Sequence, residues 1–194
     1  MDSNFFAMMS RLKYIDRWAL MRNTHAENLS EHCMETAVIA HALAVIGNRR
    51  CNKDYDAQRA ALLGLYHDAP ESLTGDMPTP VKYYSVELRE AYSKAEKSAC
   101  ESLLSMLPED LREDFEPLFF PEESDEELWK IVKAADRISA LIKCIEEKKA
   151  GNSEFKSAFI SIRKSIEDMN MSEANYFIKE FLGGYELTLD EIKG

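Results

Sequence analysis

Apolar residues recur at three- and four-residue spacing along most of the chain, which is the pattern of amphipathic α-helices. We predict helices over residues 5–14, 28–46, 56–66, 87–106 and 124–150, with a shorter helix after Pro108. Further helices are predicted to start near residues 152, 172 and 188, with a break at Gly183 and Gly184.

Two of these helices have a start signal in the sequence. An amide or hydroxyl residue is followed three positions later by a glutamate, the spacing of a capping box that satisfies backbone N–H groups at a helix start. The pairs are Asn28 with Glu31, and Ser124 with Glu127. Glycine favours the conformation that ends a helix, so Gly47 and Gly151 are predicted to end the same two helices.

Prolines and glycines interrupt the helical pattern elsewhere. Pro70 is predicted to end one helix, with only a short helical turn through Leu73 behind it. Residues 74–80 hold one glycine and two prolines and are predicted to form a loop. An acidic connection running through Pro121 to Asp125 is interpreted as a solvated face.

The composition favours an all-α fold. Of 194 residues, 45% are hydrophobic and 30% charged, with only seven glycines and six prolines, which is typical of long helices rather than turn-rich β structure. No repeat, low-complexity tract or linker divides the chain. We therefore expect a single domain over residues 1–194, large enough to bury a core without disulfides.

The formal net charge of -11 argues against a nucleic-acid polymer as a partner, because phosphate backbones are bound by basic surfaces. A small phosphorylated ligand is still compatible with this charge. Local positive charge from a metal ion and a few arginines would have to overcome the repulsion of the whole protein.

The four cysteines show no C-x-x-C spacing, and residues 1–10 do not resemble a signal peptide. No apolar run approaches the roughly 20 residues that a membrane-spanning helix needs. We expect a cytoplasmic protein with reduced thiols and no membrane partner. The cysteines are Cys33, Cys51, Cys100 and Cys144.

A histidine followed directly by an aspartate, His67 and Asp68, points to a metal site. Both side chains can face one ion only where the backbone bends, and Pro70 supplies that bend. With His32 and Asp136 they make two imidazoles and two carboxylates, a ligand set that suits Mn, Fe, Co or Ni with open positions for water and substrate. No cysteine pairs typical of structural zinc are present. We expect the metal site to lie between helices of the bundle.

Each ligand also has an ordinary structural interpretation when it is considered alone. A lone histidine such as His32 is often a surface or hydrogen-bonded core residue, and Asp68 could cap the helix that follows it. Asp136 has apolar or small neighbours, so a buried carboxylate there needs a partner. An ion pair with Lys133 or Arg137 is the alternative to metal ligation.

Glu71, four residues after His67, is a candidate general acid or base that could relay a proton of a metal-activated water. The alternative is an acidic residue that simply favours the first turn of a helix. His41 lies nine residues after His32, on the opposite helix face, and is not expected in the site. Cys33 points about 100° away from its neighbour and is expected to pack rather than ligate.

The order of one His, a His-Asp pair and a distant Asp resembles the HD-domain metal-dependent phosphohydrolases. Further segments make the chain similar to the bacterial HD-domain 5'-deoxynucleotidases over nearly its whole length. They are Arg17-Trp18, Met21-Arg22-Asn23, Glu27-Asn28, Ser30-Glu31-His32, Tyr66-His67-Asp68-Ala69, Glu71, Leu73-Thr74-Gly75-Asp76, Pro78-Thr79-Pro80-Val81-Lys82-Tyr83 and Asp136.

This resemblance implies a helical HD-domain bundle that hydrolyses deoxyribonucleoside 5'-monophosphates to deoxynucleoside and phosphate. It further implies little base selectivity, discrimination against ribonucleotides, one divalent ion such as Co or Mn, and a homodimer. The implied metal ligands are His32, His67, Asp68 and Asp136, and the implied catalytic carboxylate is Glu71. The implied substrate contacts are Arg17, Trp18, His32, Asp68, Asp76, Met77, Pro78, Thr79 and Asp136.

The substrate residues have chemistry that suits these roles. Arg17 offers a fixed fork of donors for phosphate, and the plane of Trp18 could exclude a hydroxyl at C2' by steric clash. Asp76 could accept a hydrogen bond from the 3'-hydroxyl, with Thr79 holding the nucleotide's other end. Without the family, a surface Arg17 and a core Trp18 are the alternatives.

Two other functions compete with this one. Other HD-type enzymes, which hydrolyse guanosine tetraphosphate or deoxynucleoside triphosphates, share the ligands but need more cationic side chains than Arg17, Arg22 and Lys82 provide. A non-catalytic helical binding module would have no reason to keep all four ligands together with Glu71.

Overall fold

The structure is a computed structural model that describes residues 3–120 and 122–192, and within these ranges every regular element is helical. The α-helices are α1 (Phe5–Met9), α2 (Leu29–Arg50), α3 (Ala57–Tyr66), α4 (Glu71–Thr74), α5 (Thr79–Lys82), α6 (Val86–Ser105), α7 (Arg112–Phe119), α8 (Glu126–Lys149), α9 (Lys156–Glu167) and α10 (Ser172–Phe181). Short 3-10 helices cover Ser10–Tyr14, Glu109–Leu111, Glu123–Asp125 and Leu182–Glu186. The all-α prediction is confirmed.

Helix α2 is the centre of the bundle. It packs along α3 and α8, and α10 covers it from the C-terminal part of the chain. The apolar side chains that α2 buries in these contacts include Leu29, Ile39 and Leu43. α2 is also long enough and, at a mean hydropathy of 1.2, apolar enough to cross a membrane, which we did not predict from the sequence. Half of that apolar stretch is buried inside the bundle, as expected for a core helix.

The start of α2 is the capping box that the sequence predicts. The Asn28 side chain accepts hydrogen bonds from the backbone N–H groups of Ser30 and Glu31, and the Glu31 carboxylate accepts one from the backbone of Asn28. The predicted stop at Gly47 is wrong, because α2 continues to Arg50. Gly47 is instead a packing residue.

A Cβ atom on Gly47 would lie 2.7 Å from a ring carbon of Tyr55, closer than side-chain atoms pack. The glycine therefore makes room for the chain that folds back from the helix end. Gly64 of α3 plays a similar part against α2, since a Cβ there would be 3.0 Å from the Cα of Ala37. This close approach brings His32 on α2 and His67 at the end of α3 within reach of each other.

The second predicted capping box is wrong. Ser124 lies in a 3-10 turn, and its hydroxyl donates to Glu122 rather than capping α8, which begins at Glu126. The predicted end of α8 is confirmed, with Ala150 as the C-cap and Gly151 following at a φ of +82°. The predicted acidic connection through Pro121 lies partly outside the described residues. Its expected solvation is wrong at Asp125, which is buried in an ion pair with Arg59 at 2.6 Å.

Several other boundaries differ from prediction. Residues 5–14 divide into α1 and a 3-10 helix, and the predicted loop over 74–80 ends in the short helix α5, because prolines are tolerated in a first helical turn. The helix expected near residue 152 begins at Lys156. No helix begins at Thr188, whose backbone and hydroxyl both donate to Glu191 in a turn. Gly183 and Gly184 lie within a 3-10 helix that continues from α10.

Candidate active site

Three helices and one turn bring the predicted ligands together. His32 lies in the first turns of α2, His67 is the C-cap of α3, Asp68 is in the turn that follows, and Asp136 lies in the middle of α8. Ligand atoms of His32, His67 and Asp68 all fall within 4.8 Å of one another.

The distances within this cluster suit a single ion. Asp68 Oδ2 is 3.1 Å from His67 Nε2 and 3.5 Å from His32 Nε2, and Asp136 Oδ1 is 3.2 Å from His32 Nε2. Nitrogen and oxygen ligands bound at about 2.1 Å to one ion are separated by similar distances. His32, His67 and Asp68 thus lie together, and Asp136 lies against His32.

The tautomer of His67 points to a metal. A backbone carbonyl can only accept, so His67 Nδ1, 2.8 Å from the Gly64 oxygen, carries the proton and donates it. In the neutral imidazole its buried Nε2 presents a lone pair 3.1 Å from Asp68 Oδ2, so two acceptors face each other unless a proton or a cation lies between them. A buried acceptor without a donor is costly, and a bound cation would satisfy it.

Charge coupling within the cluster is strong. Burial alone would lower the pKa of His67, but the neighbouring Asp68 carboxylate raises that pKa well above its ordinary value. Burial alone would raise the pKa of Asp68, yet His67 lowers it. Burial and the Arg17 cation lower the pKa of His32, which favours the neutral imidazole that a metal requires.

Asp136 is less buried than its sequence neighbours suggest, with 38% of its side chain exposed. The alternative partners predicted for it are wrong within the described part of the chain. Arg137 donates to the backbone oxygen of Ser165, and Lys133 makes no ion pair with Asp136 there. The carboxylate faces His32 instead.

Glu71 occupies the first position of α4 and is buried, with 9% of the residue exposed. Its Oε2 has no hydrogen-bond partner in the described residues. Burial raises the pKa of Glu71 to about 9, and the negative charges of Asp68 and Asp76 add to that rise. A carboxyl group that is only a favourable first-turn acid would lie in solvent, so its burial beside the cluster supports the chemical interpretation.

Arg17 and Trp18 lie on the segment that precedes α2. Arg17 Nη1 is 2.7 Å from His32 Nδ1, and its Nη2 is 3.9 Å from Asp136 Oδ1, so the guanidinium borders the metal cluster. Trp18 is half-buried, with its ring edge on Phe155 at a centroid distance of 5.2 Å. The alternatives of a surface arginine and a core tryptophan do not describe these positions.

The loop expected over the substrate lies beside the same cluster. Burial raises the pKa of Asp76; the positive charge of Arg17 lowers that pKa, and the negative charge of Asp68 raises it. Met77 and Pro78 are half-buried and Thr79 is exposed. Among the described residues, the side chains of Asp76 and Thr79 make no hydrogen bond to the cluster.

Two side chains behind His32 were not predicted. Ser139 Oγ lies 3.0 Å from His32 Nδ1 and donates to Glu35 Oε2 at 2.6 Å. Because its proton goes to Glu35, Ser139 can accept a hydrogen bond from Nδ1 when Nε2 binds an ion; Arg17 Nη1 can only donate, so it has to turn away from Nδ1 in that state. Glu35 follows His32 by three residues on α2, but the sequence does not reveal that Ser139, on α8, meets them.

His41 and Cys33 lie outside the cluster, as expected, whereas the sequence predicts no role for His25. His41 is exposed on the other face of α2, and Cys33 is buried and is not among the clustered ligands. His25 is exposed, and only its backbone takes part in a hydrogen bond to α8. The four cysteines have free thiols.

A helical bundle with two histidines and two aspartates converging from separate helices defines an HD-domain phosphohydrolase. Solved structures have the same fold. An HD-domain phosphohydrolase from Listeria innocua superposes with a TM-score of 0.81 at 25% identity, covering 94% of this chain and 88% of the other. A cyanophage S-2L HD phosphohydrolase, solved with dA and one catalytic Zn2+ ion, shares the fold at a TM-score of 0.66 and 17% identity, over 92% and 96% of the two chains.

The sequence comparisons identify the family within this class. The YfbR-like 5'-deoxynucleotidase family matches residues 4–185, and the chain belongs to it. A 5'-deoxynucleotidase of Photorhabdus laumondii is 48% identical over 98% of this chain and 96% of its own length. One from Vibrio vulnificus is 47% identical over 98% of each.

The protein is accordingly a hydrolase of phosphoric monoesters, a 5'-deoxynucleotidase that acts on a small nucleotide with a divalent metal ion. The competing interpretations as a guanosine tetraphosphate or triphosphate hydrolase, or as a non-catalytic module, are not supported by these relatives.

Proposed function

We propose that this protein hydrolyses deoxyribonucleoside 5'-monophosphates at the cluster of His32, His67, Asp68 and Asp136, with discrimination against ribonucleotides and little base selectivity. The observation that carries the proposal is the convergence of His32, His67 and Asp68, with Asp136 3.2 Å from His32 and the buried Nε2 of His67 facing this group. The mixed nitrogen and oxygen set suits Co or Mn.

The residues around the cluster have different roles in phosphate hydrolysis. A divalent ion held by His32, His67, Asp68 and Asp136 would supply positive charge that offsets the phosphate and would help to activate a water molecule. Arg17, which borders the cluster, adds a fixed cation for the phosphate oxygens. Glu71 Oε2 is buried and has no hydrogen-bond partner among the described residues. It accepts a proton from the attacking water or donates one to the leaving 5'-oxygen. No covalent nucleophile is required, because positioning and electrostatic stabilisation carry this chemistry.

The sugar is recognised by two further side chains. Trp18 presents its ring beside Arg17, so a phosphate on Arg17 places the sugar against that plane and a 2'-hydroxyl would clash. Asp76, close to Arg17 and Asp68, accepts a hydrogen bond from the 3'-hydroxyl. Met77, Pro78 and Thr79 complete the cover, and His32, Asp68 and Asp136 would hold the ion that offsets the phosphate charge. None of these contacts involves a base edge, which accounts for little base selectivity.

The organisation of the whole protein is part of the proposal. One domain over residues 1–194 is supported by a continuous apolar core whose members range from Phe5 to Leu182. A cytoplasmic homodimer without nucleic-acid or membrane partners rests on the resemblance and on the net charge of -11. Light scattering of the purified chain tests the dimer.

The first experiment measures phosphate release from dAMP and AMP by chelator-treated protein with Co, Mn, Mg or no metal added. We expect metal-dependent release from dAMP only. His67→Gln should abolish release, whereas His41→Gln, a matched change at the exposed histidine of α2, should not. Trp18→Ala should raise AMP turnover relative to dAMP. Equal release from both nucleotides by the unaltered protein, or metal-independent release, would overturn the proposal.

A further inference from the structure

Trp18 has a backbone conformation that needs support. Its φ is +59°, in the left-handed region that bulky residues rarely adopt. Such conformations cost free energy and persist only where surrounding contacts enforce them, commonly at ligand sites. The supporting contacts therefore identify residues that hold Trp18 in place.

One carboxylate supports both Trp18 and its neighbour. Trp18 Nε1 donates to Glu27 Oε2 at 3.0 Å, and Arg17 Nη1 donates to Glu27 Oε1 at 2.8 Å. The backbone fixes the same pairing, since the Arg17 N–H donates to the Glu27 carbonyl at 2.9 Å and Asp16 bridges to Asn28. The Glu27 side chain is only 13% exposed, so water competes little for these bonds.

We propose that Glu27 is the positioning residue that sets the distance between the phosphate-binding Arg17 and the sugar-facing Trp18, and so determines discrimination between deoxy and ribo substrates. This inference rests on the proposed function. Arg17 and Trp18 are adjacent, and both donate to one rigid group, so neither can shift without losing its hydrogen bond. Phosphate and sugar are therefore held at one spacing, at which a 2'-hydroxyl meets the Trp18 ring.

The chemistry of the partners requires a carboxylate at this position. A guanidinium and an indole N–H can only donate, so both need an acceptor. Glu27 presents two acceptor oxygens, but a glutamine presents one oxygen and one NH2 group. In Glu27→Gln the charged Arg17 should retain the oxygen, which leaves the amide NH2 opposed to the indole N–H of Trp18. The substitution keeps the size of the side chain and releases Trp18 specifically.

The first test compares kcat/KM for dAMP and AMP in Glu27→Gln and in the unaltered enzyme. We expect the dAMP preference to fall roughly tenfold, as for the loss of a hydrogen bond to a charged group. KM for dAMP should rise less than in Glu27→Ala, which removes both bonds. Glu31→Gln is the matched control: it removes a carboxylate that caps α2 and contacts neither Arg17 nor Trp18, and it should leave the preference unchanged.

A double-mutant cycle isolates the contribution of the hydrogen bond between Trp18 Nε1 and Glu27 Oε2. Trp18→Phe keeps an aromatic plane and removes the Nε1 donor, so adding Glu27→Gln to it should change the preference no further. If Glu27→Gln changed the dAMP preference as much in the Trp18→Phe background as in the unaltered enzyme, Glu27 would act by another route. An unchanged preference in Glu27→Gln alone would overturn the inference.

A spectroscopic measurement separates this inference from the proposed function. The chain has two tryptophans, so Trp129→Phe leaves Trp18 as the sole indole fluorophore. In that background Glu27→Gln should shift Trp18 emission to the red and increase its quenching by acrylamide. Such a shift without phosphate release from any nucleotide would refute the function and retain the positioning role. Normal dAMP turnover with unchanged emission and preference would refute the positioning role alone.

Discussion

Replacing Glu147 with glutamine should destabilise the protein and loosen the segment that carries Arg17 and Trp18. Glu147 lies near the end of α8 with 1% of its side chain exposed, and Lys143, with 5% exposed, donates to it at 2.6 Å. The same carboxylate accepts hydrogen bonds from the backbone and hydroxyl of Thr24 at 2.7–3.1 Å. It therefore ties the segment before α2 to α8.

The magnitude follows from what the substitution leaves behind. Glutamine removes the charge that compensates a buried lysine, and loss of one partner of a buried ion pair costs about 3 kcal/mol or more. For a chain of this size such a loss lowers the melting temperature by roughly 6–12 °C. Asn152 also donates to Glu147, so its contact to the backbone of Arg22 should weaken as well.

Urea denaturation at neutral pH, followed by circular dichroism, measures this loss. Glu146→Gln is the matched control, because Glu146 is the exposed neighbour, and its stability should stay within about 0.5 kcal/mol of the unaltered protein. Replacing Lys143 and Glu147 together by Met and Leu should restore only the part of the stability that is lost through the uncompensated lysine charge, because Thr24 and Asn152 still lose their acceptor. A Glu147→Gln variant as stable as the control would refute the reasoning.

The pH dependence of stability tests independently whether ionised Glu147 stabilises the fold. Burial alone would raise the pKa of Glu147, but hydrogen bonds from Lys143, Asn152 and Thr24 outweigh it and lower the pKa to about 2 from an ordinary 4.5. A depressed folded-state pKa stabilises above the unfolded-state value, and this stabilisation disappears as the pH falls through the folded-state value. The stability gap between the unaltered protein and Glu147→Gln should therefore be full above pH 4.5 and shrink toward pH 2.

Three further changes test the site. Glu71→Gln should reduce turnover roughly 100-fold or more while cobalt affinity measured by calorimetry stays the same, and a parallel loss of affinity would make Glu71 a ligand instead. Ser139→Ala should weaken cobalt binding roughly tenfold, because His32 loses its supporting acceptor, and unchanged binding would exclude that role. Gly64→Ala should cost about 1–3 kcal/mol in thermal denaturation, because the added methyl pushes α3 away from α2. Gly183→Ala should not lower stability, because a Cβ there meets nothing within 4 Å. Equal losses of stability in the two variants would contradict the explanation by packing.

The features that depend on neighbouring residues in the chain could be predicted from the sequence. The capping box at Asn28 depends on residues three apart, and the bend at His67 and Asp68 depends on Pro70, so both can be read from the chain. Prediction from the sequence failed at Gly47 and Ser124. Gly47 lies inside α2, where it leaves room for the Tyr55 ring eight residues away. Ser124 does not cap α8, because that helix begins at Glu126, one residue later than a Ser124 cap requires.

The sequence by itself determined the all-α class, the residue types of the metal cluster and the resemblance to the 5'-deoxynucleotidases, since helical periodicity, ligand chemistry and motif order are properties of the chain. Only the tertiary structure decided that Glu27 serves Arg17 and Trp18 together, that Ser139 stands behind His32, and that Gly64 lets two helices approach. Hydrogen bonds and packing contacts act over a few ångströms in space and leave no spacing rule when their partners come from different elements.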